Sequence, residues 1–173
     1  MWNIGTTILF ILVVMIAIAL VGARLAGLKA FSVLSGSMEP NYSTGSLIYT
    51  KEVDNATLEV GDVITFMLDD KTVATHRIVE VIPDETDSSI MKFRTKGDAN
   101  DTVDGALVHY KNVIGSPIFC IPKMGYVATY ITSSSGMYVV ISLGIIALLL
   151  TFIPDLWSDG KTEQIEIVEN RRS

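Results

Sequence analysis

Hydrophobic residues are concentrated in two uncharged segments, one near each end of the chain. Residues 4–23 contain no charged side chain, and 20 helical residues at about 1.5 Å each cross the roughly 30 Å hydrocarbon layer of a bilayer. A second uncharged stretch covers residues 124–154, and its part from 137 to 154 is apolar enough to span. The pattern therefore predicts two transmembrane helices, residues 4–23 and 137–154.

The first segment has a competing interpretation as a cleavable signal peptide. Such peptides have a basic amino-terminal region and an apolar run of about 7–15 residues. Residues 1–3 carry no basic side chain, and the apolar run here is longer. We therefore expect an uncleaved anchor.

Residues 30–131, between the two apolar segments, have the texture of a small β-rich domain. Short runs rich in Val, Ile, Thr and aromatic residues alternate with turn residues. The predicted strands are 31–35, 47–51, 63–68, 72–82, 91–96 and 113–121. Strands at this spacing predict a folded sheet or barrel. Together with the two predicted helices, they indicate a membrane-anchored, mainly-β protein. Residues 83–89 are expected to form a solvated loop.

The basic residues that flank the predicted helices give a mixed indication of topology. Two spanning helices place both termini on one side, and Lys161, Arg171 and Arg172 favour the cytoplasm for that side. Arg24 and Lys29, beside the β-rich domain, favour the reverse. We expect a multi-pass protein of the cell membrane with an extracytoplasmic β-domain and a cytoplasmic tail, residues 155–173.

The charge and the cysteine content exclude several classes of function. The formal net charge is −6, so the composition does not indicate a nucleic-acid partner. The single cysteine, Cys120, excludes an intramolecular disulfide. Its apolar neighbours Ile118, Phe119 and Ile121 predict a buried structural thiol rather than a catalytic one.

The two histidines and one serine-rich turn are the first candidates for chemistry. Residues 35–40 (SGSMEP) form a hydroxyl-bearing turn after an apolar run, although on local chemistry alone a plain loop is the commoner interpretation. His76 is either a core residue or a neutral general base. Strand alternation places His76 on one face with Ala74, Ile78 and Ile82. The second histidine, His109, is expected to be structural or at the surface.

An acidic segment, residues 96–104, is the third candidate. Asp98, Asp101 and Asp104 lie within seven residues, and like charges this close repel unless something offsets them. A calcium loop is one interpretation, but the EF-hand pattern needs glycine where Val103 stands. A loop built from Asx-turns is the commoner alternative.

Taken together and in this order, the motifs resemble those of the type I signal peptidase family. The segments that carry the resemblance are residues 35–40, 60–64, 75–77 (THR), 96–104 and 121–126. The resemblance covers residues 31–130. Most bacterial members have lysine at the position of His76, so the histidine resembles the branch found in the endoplasmic reticulum, archaea and some Gram-positive bacteria.

The resemblance implies a serine endopeptidase with a Ser/His/Asp site. Ser37 would be the nucleophile, His76 the general base and Asp104 the orienting acid, with Asp98 a second important carboxylate. Which of the two aspartates contacts the imidazole is left open. The backbone N–H of Ser37 and the side chain or backbone of Ser35 would stabilise the oxyanion, and no metal or organic cofactor is implied.

The implied substrates are secretory preproteins, cut after small residues at A-x-A-like sites on the outer surface of the membrane. Ser37 lies 14 residues beyond Ala23, so at about 3.5 Å per residue it stays near the lipid bilayer. Subunits of the secretion machinery are further expected partners. Two alternatives are a self-cleaving peptidase of the LexA-type clan and a catalytically silent membrane scaffold or binding module.

Overall fold

A computed structural model describes residues 4–84, 90–146 and 149 of the chain. The described residues fall into two units, one within residues 20–129 and one drawn from residues 1–19 and 130–173. The predicted tail, residues 155–173, lies outside the described residues. So do residues 85–89 of the predicted loop and residues 147, 148 and 150–154 of the predicted second anchor.

The unit within residues 20–129 is built on one antiparallel sheet. Its strands are β1 (Lys29–Ser32), β2 (Leu47–Lys51), β3 (Val63–Met67), β4 (Val73–Pro83), β5 (Met91–Lys96), β6 (Val108–His109) and β7 (Val113–Ile121). Their order in the sheet is β1-β2-β7-β3-β4-β5-β6. The prediction of a mainly-β domain is confirmed.

Strand boundaries agree with the prediction in the centre of the sheet and differ at its edges. β2, β5 and β7 have the predicted bounds, β3 is one residue shorter at its end, and β4 is shifted by one residue at both ends. β1 begins at Lys29, which pairs with Thr50, and ends before Ser35. β6 was not predicted, because a two-residue strand leaves no alternation to detect.

The core of this unit lies against β3, β4 and β5. Burying each large apolar side chain stabilises the fold by about 1.5–3 kcal/mol. The members of the buried cluster are Leu58, Ile64, Phe66, Ile78, Phe93 and Val108. This packing fixes the positions of β4 and β5, and with them the side chains that project from β4 and from the loop after β5.

β4 contains an irregularity that changes which residues face the core. Its pairing with β5 shifts register between Ile78 and Glu80, and an extra residue reverses the alternation beyond that point. Val81, rather than Ile82, packs against the buried cluster. The prediction that Ile82 shares the face of His76 is therefore wrong.

Three helices account for the described parts of the apolar segments: α1 (Ile4–Leu25), α2 (Met124–Thr132) and α3 (Ser134–Ile146). Among the described residues, no single helix has both the length and the hydropathy of a membrane span. α2 and α3 meet those requirements only together, as a bent pair. Membrane anchoring through residues 4–23 and 137–154 stays a prediction.

Candidate active site

The serine-rich turn, residues 35–40, lies in the loop that follows β1. The N–H of Val33 donates to the carbonyl of Ser46, and the carbonyl of Val33 accepts the N–H of Gly45, both at 2.8 Å. These two hydrogen bonds join the ends of the loop. Met38 is only 2% exposed and anchors the loop in the interior. The neighbouring Ser37 stays partly accessible. The loop thus presents a serine hydroxyl from a fixed position.

Ser37, His76 and Asp104 come from three parts of the chain and form one hydrogen-bonded row. Nε2 of His76 lies 3.2 Å from Oγ of Ser37, and Nδ1 lies 2.6 Å from Oδ2 of Asp104. The histidine side chain is 14% exposed, and its ring meets the ring of Phe66 edge to face. A carboxylate on Nδ1 leaves the Nε2 lone pair for the serine proton, which is the connectivity that Ser-His-Asp catalysis requires.

Asp98 has different partners from Asp104. Its carboxylate accepts hydrogen bonds from Nε and Nη2 of Arg77, at 2.8 and 2.7 Å, and from Nδ2 of Asn41 at 2.7 Å. The Arg77 guanidinium holds the pKa of Asp98 below its usual range, against the opposing effect of burial. Of the two aspartates left open by the sequence, Asp104 is the one that contacts the imidazole, and Asp98 cross-links the Ser37 loop to β4.

The acidic segment after β5 supports the Ser37 loop through its backbone. Ala99 donates its N–H to the carbonyl of Ser37 at 2.8 Å, and Asp98 donates its N–H to Sδ of Met38 at 3.4 Å. A Cβ on Gly97 would lie 2.6 Å from the Ser37 carbonyl oxygen, a distance that real Cβ atoms do not reach. Glycine is therefore required at this close approach.

The calcium interpretation of the acidic segment gains no support from this arrangement. Asp98 and Asp104 are each engaged by protein donors, the first by Arg77 and the second by His76 and Thr95. Asp101 is exposed. The segment instead places Asp98 against Arg77 and Asp104 against His76.

Ser37 and His76 line a cleft of about 930 Å³. One wall is formed by residues 31–35, and another by residues 71–76 at the start of β4. β1 is an edge strand of the sheet, and β4 pairs with β5 only from Arg77 onward. In the described part of the chain, both walls therefore offer strand backbone to an extended ligand. Oγ of Ser35 lines the cleft 3.3 Å from Oγ of Ser37.

Two residues singled out by the sequence lie apart from this row. The imidazole Nδ1 of His109 accepts a hydrogen bond from the backbone N–H of Lys111 at 3.3 Å, capping a short 3₁₀ turn. Cys120 is half-buried, so the prediction of a buried thiol is wrong. The register shift between β2 and β7 adds Ile118 to β7 as an extra residue, and Ile118 and Phe119 are exposed.

Sequence reasoning missed three residues that hold the site together: Asn41, Arg77 and Thr95. Arg77 was noticed only as part of a motif, and its contact with Asp98 joins segments 21 residues apart. The Thr95 hydroxyl donates to Oδ2 of Asp104 at 2.6 Å. Strand alternation could have placed Thr95 on the inner face with Phe93, but no local signal names its partner.

A family model and individual relatives match this chain, and their descriptions agree. The family model described as "Signal peptidase, peptidase S26" matches residues 5–117. Signal peptidase I W of Bacillus subtilis (strain 168) is 43% identical over 121 residues, which cover 64% of this chain and 61% of that protein. Signal peptidase complex catalytic subunit SEC11C of Homo sapiens is 31% identical over 103 residues, covering 55% and 53%.

A fungal relative is matched over a larger share of its length. Signal peptidase complex catalytic subunit SEC11 of Lachancea thermotolerans is 35% identical over 126 residues, covering 67% of this chain and 73% of that protein. The chain thus spans less than two thirds of the bacterial and human relatives and nearly three quarters of the fungal one.

Proposed function

Because the chain belongs to the signal peptidase family of S26 peptidases, we propose that it is a serine endopeptidase that removes signal peptides from secreted preproteins. The observation that carries the proposal is the row of Ser37, His76 and Asp104, with contacts of 3.2 and 2.6 Å. The three relatives are named as a signal peptidase or as catalytic subunits of a signal peptidase complex, and they support the ER-type subgroup.

In the proposed acylation step, Nε2 of His76 takes the proton of Ser37 as Oγ attacks the carbonyl carbon of the scissile bond. Asp104 holds the opposite ring nitrogen and stabilises the imidazolium that forms. His76 then donates the proton to the leaving amine, the C–N bond breaks, and the mature protein departs. Water, activated by the same imidazole, hydrolyses the ester and releases the signal peptide.

We assign the oxyanion contacts to the backbone N–H of Ser37 and the hydroxyl of Ser35. With its Oγ 3.3 Å from the attacking oxygen, Ser35 is within reach of a carbonyl oxygen bonded to the attacked carbon. A donor in such a place acts mainly on the charge that develops in the transition state. Asp98 is proposed to act indirectly, by holding the Ser37 loop through Asn41 and β4 through Arg77.

The substrate is proposed to bind as an extended strand between residues 31–35 and 71–76. Val33 directs both its N–H and its C=O toward the Gly45–Ser46 backbone, so alternation directs those of Ser32 and Leu34 away from it. Backbone pairing of this kind is independent of side chains and suits preproteins of varied sequence. Small residues at the A-x-A positions then let the scissile carbonyl approach Ser37.

We further propose that residues 4–23 and 137–154 anchor the enzyme, so that residues 30–131 act at the outer surface of the cell membrane. On α1, Ile8 and Ile18 are 62% and 66% exposed, and exposed apolar side chains along one helix suit a lipid environment. Signal peptides lie in the bilayer with their cut sites just outside it. Because SEC11 and SEC11C are named as subunits of a complex, secretion-machinery subunits are proposed partners, with residues 155–173 cytoplasmic.

The proposal is tested by incubating the full chain, reconstituted in liposomes, with a preprotein that has an Ala-x-Ala site. The matched substrate carries leucine in place of both alanines. We expect cleavage of the first substrate directly after the site, identified by sequencing the new amino terminus, and little cleavage of the second. Absence of cleavage, also with membrane extract added, would favour a silent scaffold. Cleavage only of the chain itself would favour the self-cleaving alternative.

A further inference from the structure

Thr95 forms two hydrogen bonds with the residue that contacts the catalytic imidazole. Its hydroxyl donates to Oδ2 of Asp104 at 2.6 Å, and its backbone carbonyl accepts the N–H of Asp104 at 2.8 Å. Oδ2 is the oxygen that lies 2.6 Å from Nδ1 of His76. Thr95 is 0% exposed and lies on β5, opposite the buried Ile78 on β4.

The two bonds have different requirements. The backbone bond closes the loop after β5, and any residue at position 95 could accept it. The hydroxyl bond needs threonine or serine, and it acts on the carboxylate itself. A carboxylate rotates readily about its terminal torsion, because that torsion has broad minima. A donor fixed on a buried strand limits this rotation, so that Oδ2 stays aimed at the His76 ring.

A purely structural explanation would treat the hydroxyl as a buried polar group that takes the nearest acceptor. Thr50 offers a direct comparison, because it is equally buried and its hydroxyl lies 3.3 Å from that of Thr65 rather than next to Ser37, His76 or Asp104. The Thr95 bond differs in being short, charge-assisted and directed at the one oxygen that His76 uses.

We propose that Thr95 is a positioning residue for the reaction, which sets the orientation of Asp104 and, through it, that of His76. This inference rests on the proposed peptidase function. Removal of the Thr95 hydroxyl should lower kcat while leaving KM unchanged, because Thr95 does not line the cleft. Its effect should also disappear when Asp104 can no longer act as a carboxylate.

The kinetic test compares Thr95→Val, Thr95→Ser and the control Thr50→Val in the full chain, with an Ala-x-Ala preprotein as substrate. We expect Thr95→Val to lower kcat at least tenfold at unchanged KM, Thr95→Ser to restore most of it, and Thr50→Val to stay within twofold of wild type. In an Asp104→Asn background, Thr95→Val should change kcat by less than twofold. Equal losses in both backgrounds, or a loss below twofold in the wild type, would overturn the proposal.

A second readout is independent of activity. The imidazole N–H protons of His76 and His109 are observed by NMR of histidine-labelled protein in detergent, and His109→Gln assigns the two signals. We expect a downfield Nδ1–H signal from His76 that is lost in Asp104→Asn and shifted and broadened in Thr95→Val, but not in Thr50→Val. If the wild type cleaves no preprotein while these changes occur, the peptidase function fails and the positioning role stands. An unchanged signal in Thr95→Val refutes that role.

Discussion

Replacing Asp98 by asparagine tests the cross-link between the Ser37 loop and β4. The substitution keeps the size of the side chain and removes the charge that accepts three hydrogen bonds of 2.7–2.8 Å. Hydrogen bonds to charged groups contribute about 1.5–3 kcal/mol, whereas exposed ion pairs contribute about 0–1 kcal/mol. The side chains of Arg77 and Asp98 are 34% and 13% exposed, so an intermediate loss of about 2 kcal/mol is expected at neutral pH.

The pH dependence of this loss follows from the pKa of Asp98, which Arg77 holds below its usual range. The folded protein therefore binds the proton at a lower pH than the unfolded chain does. The stabilisation is fully present above the unfolded pKa of about 3.9, and it is lost as the pH falls through the folded pKa. The difference between wild type and Asp98→Asn should narrow as the pH falls below about 4.

The assay is denaturant unfolding of the full chain in detergent, followed by circular dichroism at pH 7, 5 and 3. Asp101→Asn is the matched control, because it removes an exposed carboxylate from the same loop and should change stability by less than about 0.5 kcal/mol. The reasoning is refuted if Asp98→Asn has the same unfolding midpoint as wild type at pH 7, or if its deficit is as large at pH 3 as at pH 7.

Three further substitutions test residues in the site and one thiol outside it. Gly97→Ala should lower cleavage at least tenfold, because the new Cβ would press on the carbonyl of Ser37, whereas Gly105→Ala, with nothing within 4 Å, should cleave normally. Equal rates for both would contradict the close approach. Ser35→Ala should lower kcat by about 10²–10³-fold with little change in KM, and a normal kcat would remove Ser35 from the oxyanion site. Cys120→Ser should retain the kcat of wild type, and a tenfold loss would show that the thiol takes part in the reaction.

The sequence predicted the centre of the sheet better than its edges. β2, β5 and β7 were predicted to the residue. β2 and β7 are rich in β-branched and aromatic residues, whereas β5 alternates charged residues with Met91, Phe93 and Thr95. Local alternation carries no information on an extra residue, so it failed beyond the irregularity in β4. The apolar neighbours of Cys120 likewise gave no sign of the extra residue Ile118 in β7. Both errors arise from pairing between strands, which is a non-local property.

The candidate site shows the same division. Ser37 and His76 were found because each lies in a recognisable short motif. Asp104 and Asp98 were both named, but their partners were not assigned, because the choice depends on how a nine-residue segment folds back over β5. Thr95 was missed because a threonine in a strand usually signals only β-propensity.

The measurement that tests the central claim most directly is the single-turnover rate of signal peptide release from an Ala-x-Ala preprotein. It compares wild type with Ser37→Ala, His76→Ala and the control Ser43→Ala, an exposed serine of the same loop. The account predicts a fall of at least about a thousandfold for the first two variants and a normal rate for the control. A Ser37→Ala variant that cleaves as fast as wild type would contradict it.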